Sequence, residues 1–177
     1  MDNQQATAEV DMGWLVGFLE GEGSFSLQKQ IYKKQKATLR PRICVTSTDF
    51  ELTDRVEVIL KSLGIGNYIA RKRFVSKDGR DYKDQKELVI SGIKRCKKLL
   101  DKIIPYMTES RKKRTAETLL EFCNYRLSLP RKNPYTQVDF SIGQRMRDLN
   151  GYQLRQSFRD STRDVFTYNT KVESDAA

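Results

Sequence analysis

Trp14-Leu15-Val16-Gly17-Phe18-Leu19-Glu20-Gly21-Glu22-Gly23 is the stretch whose reading decides the fold. It begins apolar, carries Gly17 and Gly21 in step with Gly13, and ends on two carboxylates set among glycines. Residues four apart lie on one side of a helix, so this stripe of missing side chains lets a second helix approach to near backbone contact. A helix C-terminus carries partial negative charge, and Gly21 and Gly23 are residue types that terminate helices. Glu20 and Glu22 therefore stand where something positive must offset them. Glu20 suits an N–H or a basic side chain. Glu22, just past the last turn, suits a divalent cation, because carboxylate and backbone oxygens are Mg²⁺ ligands. The plainer alternative is a buried helix with a glycine cap and two solvated glutamates.

Outward from this stretch, a chain of 177 residues reads as one domain with room for a core. Lys and Arg number 33 against 23 Asp and Glu, a formal charge of +10 that favours an anionic partner, nucleic acid first. No apolar run approaches the roughly 18 residues of a membrane span, and Met1 to Asp11 is polar and acidic rather than a signal peptide. The expectation is an intracellular protein, with an organelle or a prokaryotic cytoplasm both open. Cys44, Cys96 and Cys123 are odd in number and widely spaced, which excludes a disulfide framework or a zinc ribbon and suits reduced core thiols. Histidine is absent, so His-based triads, His-ligated zinc and His general bases are excluded. Any catalysis must run on carboxylates, Lys, Ser or Tyr, and metal.

Residues 1–10 are expected to be disordered. After the opening stretch, residues 24–32 alternate, with Phe25 and Leu27 inward and Ser26, Gln28, Gln30 and Tyr32 outward. A basic turn leads into Thr38 to Thr46, where Leu39, Ile43 and Val45 oppose Arg40, Arg42 and Cys44. The two runs make a hairpin. Thr48-Asp49-Phe50-Glu51 fits a capping box, followed by Leu52, Val56, Ile59, Leu60 and Leu63 at helical spacing and by Gly64 as a stop. Strands are expected over 67–75, with Arg71 and Arg73 on one face and Lys72 on the other, and over 82–91. Ser91 is set to cap a helix carrying Ile93, Cys96, Leu99, Leu100 and Ile103, which Pro105 stops. Arg111-Lys112-Lys113-Arg114 then enters a helix with Ala116, Leu119, Leu120 and Cys123 on one face. Pro130, Asn133 and Pro134 mark a break before an extension over 130–169, with short helices expected at 138–149 and 152–158 and a disordered tail at 170–177.

Leu15-Val16-Gly17-Phe18-Leu19-Glu20-Gly21-Glu22-Gly23 resembles, position for position, the motif of the LAGLIDADG homing endonucleases. The order helix, strand, strand, helix, strand, strand, helix over residues 12–127 resembles that family's αββαββα arrangement, so an α+β fold is expected with a saddle-shaped antiparallel sheet, inside a single domain over 11–169. One motif copy implies a homodimer packed through Gly13, Gly17, Phe18 and Gly21. The resemblance further implies a Mg²⁺- or Mn²⁺-dependent, site-specific double-strand DNA endonuclease that leaves 3′ overhangs at a pseudo-palindromic site and promotes intron or intein mobility. It implies that Glu22 binds metal with the Gly21 carbonyl, that Lys112 stabilises charge on the phosphate, with Arg111 and Lys113 as alternatives for that place, and that Ser47 supports the solvent network.

The outward strand residues Ser26, Gln28, Gln30, Tyr32, Thr38, Arg40, Arg42, Arg71 and Arg73 are the expected DNA contacts, since arginine suits guanine edges or phosphates and glutamine suits adenine. Each alone also fits a solvated strand face. Competing readings are an intron maturase that binds RNA on the same fold, a transcription factor on the same scaffold, and a carboxylate-lysine nuclease built on Asp84-Gln85-Lys86.

Overall fold

A computed structural model describes residues 3–32, 36–72, 83–108 and 110–151. Helix α1 (Asn3–Gly21) leads into the hairpin β1 (Gly23–Tyr32) and β2 (Lys36–Ser47), then α2 (Phe50–Ser62), β3 (Tyr68–Lys72), β4 (Gln85–Ser91) and α3 (Ile93–Ile103). A single 3₁₀ turn at Ile104–Tyr106 contains Pro105 and separates α3 from α4 (Arg111–Ser128), and α5 (Gln137–Leu149) follows. The four strands form one antiparallel sheet in the order β1-β2-β4-β3. This is the expected α+β arrangement with a further helix behind it.

One face of the sheet and the helices close on a common core. Phe25, Ile43, Val45, Leu88 and Ile90 from the strands meet Leu15 and Leu19 of α1, Val56 and Leu60 of α2, Leu99 and Leu100 of α3, Leu119 and Phe122 of α4, and Ile142 of α5. The expected inward sets on α2 and α3 contribute to it, because apolar residues at helical spacing form a stripe that only burial satisfies. Phe122, fully buried, was outside the expected stripe of α4. Cys44, Cys96 and Cys123 are buried free thiols, and burial pushes Cys96 and Cys123 up to about 12.

Several local expectations are corrected. Residues 3–10 are helical, the first turns of α1, where Gln, Ala and Glu have good helix propensity. The cap of α2 is Asp49 rather than Thr48: its carboxylate accepts the Glu51 N–H at 3.0 Å. Gly64 does end α2, at φ +64°, with Ile65 N–H donating to Leu60 O and Gly64 N–H to Lys61 O. Ser91 is the last residue of β4 and does not cap α3; its hydroxyl donates to Pro41 O, and Gly92 holds the cap position. Gly21 and Gly23 are not left-handed caps either. Gly23 is needed for close approach, since a Cβ there would lie 2.5 Å from Leu19 O. The expected helix at 152–158 and the tail at 170–177 lie outside the described residues.

Candidate active site and nucleic-acid interface

The end of α1 places two carboxylates in different surroundings. Glu22, whose N–H donates to Phe18 O at 2.8 Å, is exposed, and its side chain makes no hydrogen bond among the described residues. Glu20 Oε1 accepts two hydrogen bonds from Thr108, from the N–H at 3.0 Å and from the hydroxyl at 2.8 Å. The N–H partner expected for Glu20 is therefore present, 88 residues along the chain.

Lys112 reaches the same place from α4. Ser110 caps that helix, its Oγ accepting the Lys113 N–H at 3.2 Å, so Lys112 falls in the first turn. Its ammonium donates to Gly21 O at 3.4 Å and to Gly23 O, the carbonyls on either side of Glu22. A helix N-terminus repels a cation while a C-terminus attracts one, so Lys112 stands at the positive pole of α4 and faces the negative pole of α1. Burial lowers its pKa from the ordinary lysine value, Glu22 and Glu20 oppose that shift, and Arg111 adds to it. The run Arg111 to Arg114 thus resolves into distinct positions: Lys112 contacts the motif, whereas Arg111 and Arg114 are exposed.

Beside Glu22 lies a depression lined by Gly17, Phe18, Gly21, Ser47, Thr48 and Gln85, among others. Ser47 sits where the sequence placed it, at the end of β2, and its Oγ accepts the Asp49 N–H at 3.0 Å, which leaves the hydroxyl proton to donate. Gln85, the first residue of β4, is a neighbour that sequence reasoning passed over as the middle of Asp84-Gln85-Lys86. Lys86 in that pattern is buried and pairs with Asp54 of α2, which removes it from nuclease chemistry.

The glycine face of α1 that borders this depression is open. Gly13, Gly17 and Gly21 are exposed, and a Cβ at any of them would meet nothing within 4 Å. Phe18 is half-buried and stacks on Trp14, their rings 5.1 Å apart, and Arg55 of α2 covers Trp14 at 4.2 Å.

On the sheet face away from the helices, the β1–β2 register pairs Ser26 with Arg42, Gln28 with Arg40, and Gln30 with Thr38. Gln28 and Arg40 are exposed. Thr38 Oγ1 donates to Gln30 O, and Ser26 Oγ to Arg42 O. Arg42 differs from Arg40, since it forms a 2.7 Å ion pair with Glu87 of β4. Burial works against its charge, but Cys44 and Glu87 outweigh burial and its pKa is raised. Towards β4 this face turns apolar and buried, with Cys44 opposite Val89.

The ladder pairs position 71 with Lys86 and position 69 with the core residue Leu88, so the row shared with Glu87 and Gln85 runs through positions 70 and 72. The side chains of Arg71 and Lys72 lie outside the described residues. Arg73 lies outside the described residues, as does the side chain of Tyr32.

Comparison with known proteins agrees with this architecture. The family model described as a LAGLIDADG-like domain matches residues 9–104, more than half the chain. The solved structure of the archaeal intron-encoded homing endonuclease I-Vdi141I, complexed with DNA, superposes with a TM-score of 0.53 at 21% identity, covering 84% of each chain. That of the homing endonuclease I-TnaI gives 0.57 at 16% identity over 84% of this chain and 96% of that one. I-GzeII in complex with its DNA target gives 0.55 at 17% identity, and there 78% of this chain spans only 43% of the relative. Among curated proteins none matches. Identities this low establish a shared fold, and with the family model they lead to one conclusion: the chain belongs to the LAGLIDADG-like domain family.

Proposed function

We propose that the protein is a site-specific double-strand DNA endonuclease that works as a homodimer and hydrolyses phosphodiesters with a divalent metal. The observation that carries this reading is Glu22, exposed at the end of the motif helix with Lys112 held on the carbonyls to either side of it. Two structural relatives are described as DNA complexes of intron-encoded enzymes, I-Vdi141I and the group I intron-encoded I-CeuI, which supports DNA as substrate and intron homing as the biological role. I-CvuI, another relative, is described in complex with its target in the presence of calcium, which supports a divalent cation.

The donor set fits Mg²⁺ or Mn²⁺. It consists of oxygens only, the Glu22 carboxylate and the Gly21 carbonyl, as hard cations prefer. Among the described residues no three of His, Cys, Asp and Glu cluster, so a second copy of the chain completes the site in this proposal. When bound, the metal supplies Lewis-acid polarisation of the phosphate and a water of lowered pKa. Lys112 places a positive charge beside the phosphate, where charge builds in the transition state. Ser47 holds solvent with its free proton. The exposed glycine face of α1 is where the two copies meet, so that their two Glu22 carboxylates converge.

Gln28, Gln30, Thr38 and Arg40 form the polar end of the sheet and supply base-edge and phosphate contacts. At about 3.3 Å per residue, strands this long follow roughly one turn of DNA, and a dimer would follow two.

The test is cleavage of a randomised duplex library with Mg²⁺, with an EDTA control and sequencing of the ends. Metal-dependent ends with short 3′ overhangs inside one pseudo-palindromic site are expected. Absence of cleavage together with tight binding to structured intron RNA would overturn the endonuclease in favour of the maturase. Glu22→Gln is expected to lower cleavage by about three orders of magnitude while leaving duplex binding intact; loss of binding as well would make Glu22 structural. Gly17→Leu adds a large side chain to the open face, and sedimentation should then report monomers.

A further inference from the structure

The two motif carboxylates flank a single residue, Gly21, yet among the described residues only Glu20 is hydrogen-bonded to another element. Its Oε1 takes both the N–H and the hydroxyl of Thr108, and Thr108 lies two residues before the α4 cap Ser110. Ser110 fixes the first turn of α4 through the Lys113 N–H. Lys112 in that turn then meets Gly21 O and Gly23 O. Thr108 and Lys112 are thus both pinned to the α1–β1 junction, at Glu20 and at Gly21 and Gly23, and Glu22 stands in the middle of the three anchors.

Lys112 would not be held there by its own helix. The N-terminal pole of α4 repels a cation in its first turn, and Arg111 beside it adds like charge. Its acceptors are two backbone carbonyls, Gly21 O on an exposed residue and Gly23 O on a buried one, which a flexible lysine stem reaches only if its helix starts in the right place. A fixed start to α4 supplies what these contacts lack.

Resting on the reading proposed above, we infer that Glu20 is a positioning residue. By holding Thr108 through two hydrogen bonds, it sets the start of α4 so that Lys112 meets the carbonyls on either side of Glu22. The motif then divides labour between its carboxylates: Glu22 faces the reacting groups, and Glu20 places the cation that works with it. Glutamine at position 20 keeps the accepting oxygen and should substitute; alanine should not.

The test has one readout that needs no cleavage. In Glu20→Ala, the Thr108 amide should lose protection from hydrogen exchange. Lys112 should also be acylated several-fold faster by an amine-reactive reagent, with the exposed Lys61 as internal reference, whereas Glu20→Gln should match the parent protein. The second readout is a double-mutant cycle on single-turnover cleavage. Glu20→Ala should lose about 10- to 100-fold alone, as misplaced catalytic groups do, and almost nothing further in a Lys112→Met background. Thr108→Val, which removes only the hydroxyl, serves if Glu20→Ala does not fold, and should shift both readouts part of the way. Unchanged Lys112 acylation in Glu20→Ala, or a cleavage loss that adds in full to that of Lys112→Met, would overturn the inference. If the parent protein does not cleave, the endonuclease reading fails while exchange and acylation still decide the role of Glu20.

Discussion

Helix α4 carries a carboxylate–cation assembly at each end, and the two are built on opposite principles. At its start, Lys112 lies beside an exposed Glu22 whose carboxylate makes no hydrogen bond among the described residues. At its end, Arg126 meets Asp139 of α5, and Asp139 is fully buried. Asp139 Oδ2 accepts the Thr136 N–H at 2.7 Å, the Thr136 hydroxyl at 3.2 Å and Arg126 at 3.4 Å. Arg126 also donates to Asn133 O and stacks on Tyr135 at 4.2 Å. Even so, Asp139 Oδ1 and Arg126 Nε are buried with no hydrogen-bond partner among the described residues. The closed assembly holds the 129–136 connection and α5 against the rest of the fold. The open one leaves the Glu22 carboxylate facing solution, and on that exposure its proposed role rests. Burial and partner count, rather than residue type, separate the two acids.

Removing one charged member at each end of α4 should therefore separate stability from chemistry. Asp139→Ala leaves Arg126 buried and uncompensated, which typically costs about 3–5 kcal/mol, so thermal unfolding should move down by many degrees while cleavage per folded molecule stays near the parent value. A small thermal shift would mean that α5 contributes little to the fold. Lys112→Met at the other end should leave the unfolding midpoint nearly unchanged and slow cleavage by about a hundredfold. A protein that unfolds on losing Lys112 would show that the open end is structural too, and the contrast would dissolve.

The same contrast explains what could be read from the sequence. The motif helix, both hairpins, the stripe on α2 and the position of Glu22 follow from periodicity and glycine spacing, which are local. The partner of Glu20 was legible only as a requirement for an N–H donor, because Thr108 comes from 88 residues away. Strand register is not local either: a strand alternates with period two, so an error of one residue in parity inverts every side, and only pairing with β4 sets position 71 opposite Lys86. The Arg126–Asp139 assembly had a visible half, since Thr136 and Asp139 are spaced as a helix cap, but nothing in the sequence links Arg126 to it. Buried ion pairs are set by tertiary packing, which leaves no periodic trace.

Tyr135 offers the gentlest probe of the closed assembly. Its hydroxyl donates to Leu39 O at 2.9 Å and its ring lies under Arg126. Burial raises its pKa above the ordinary value of 10.0, and Asp139 adds to the rise while Arg126 works against it. A phenol whose pKa is higher in the folded state keeps its proton there after the unfolded chain has begun to lose its own. The stability it contributes is therefore complete below the unfolded tyrosine pKa and drains away as the pH rises through the folded one. Tyr135→Phe removes that titration together with one hydrogen bond, which costs about 1 kcal/mol at neutral pH. Urea midpoints measured from about pH 8 to pH 11, across the tyrosine range, should thus fall less steeply for Tyr135→Phe than for the parent protein. Parallel curves would mean that the Tyr135 phenol ionises alike in the folded and unfolded chain, and that the hydrogen bond to Leu39 does not hold its proton.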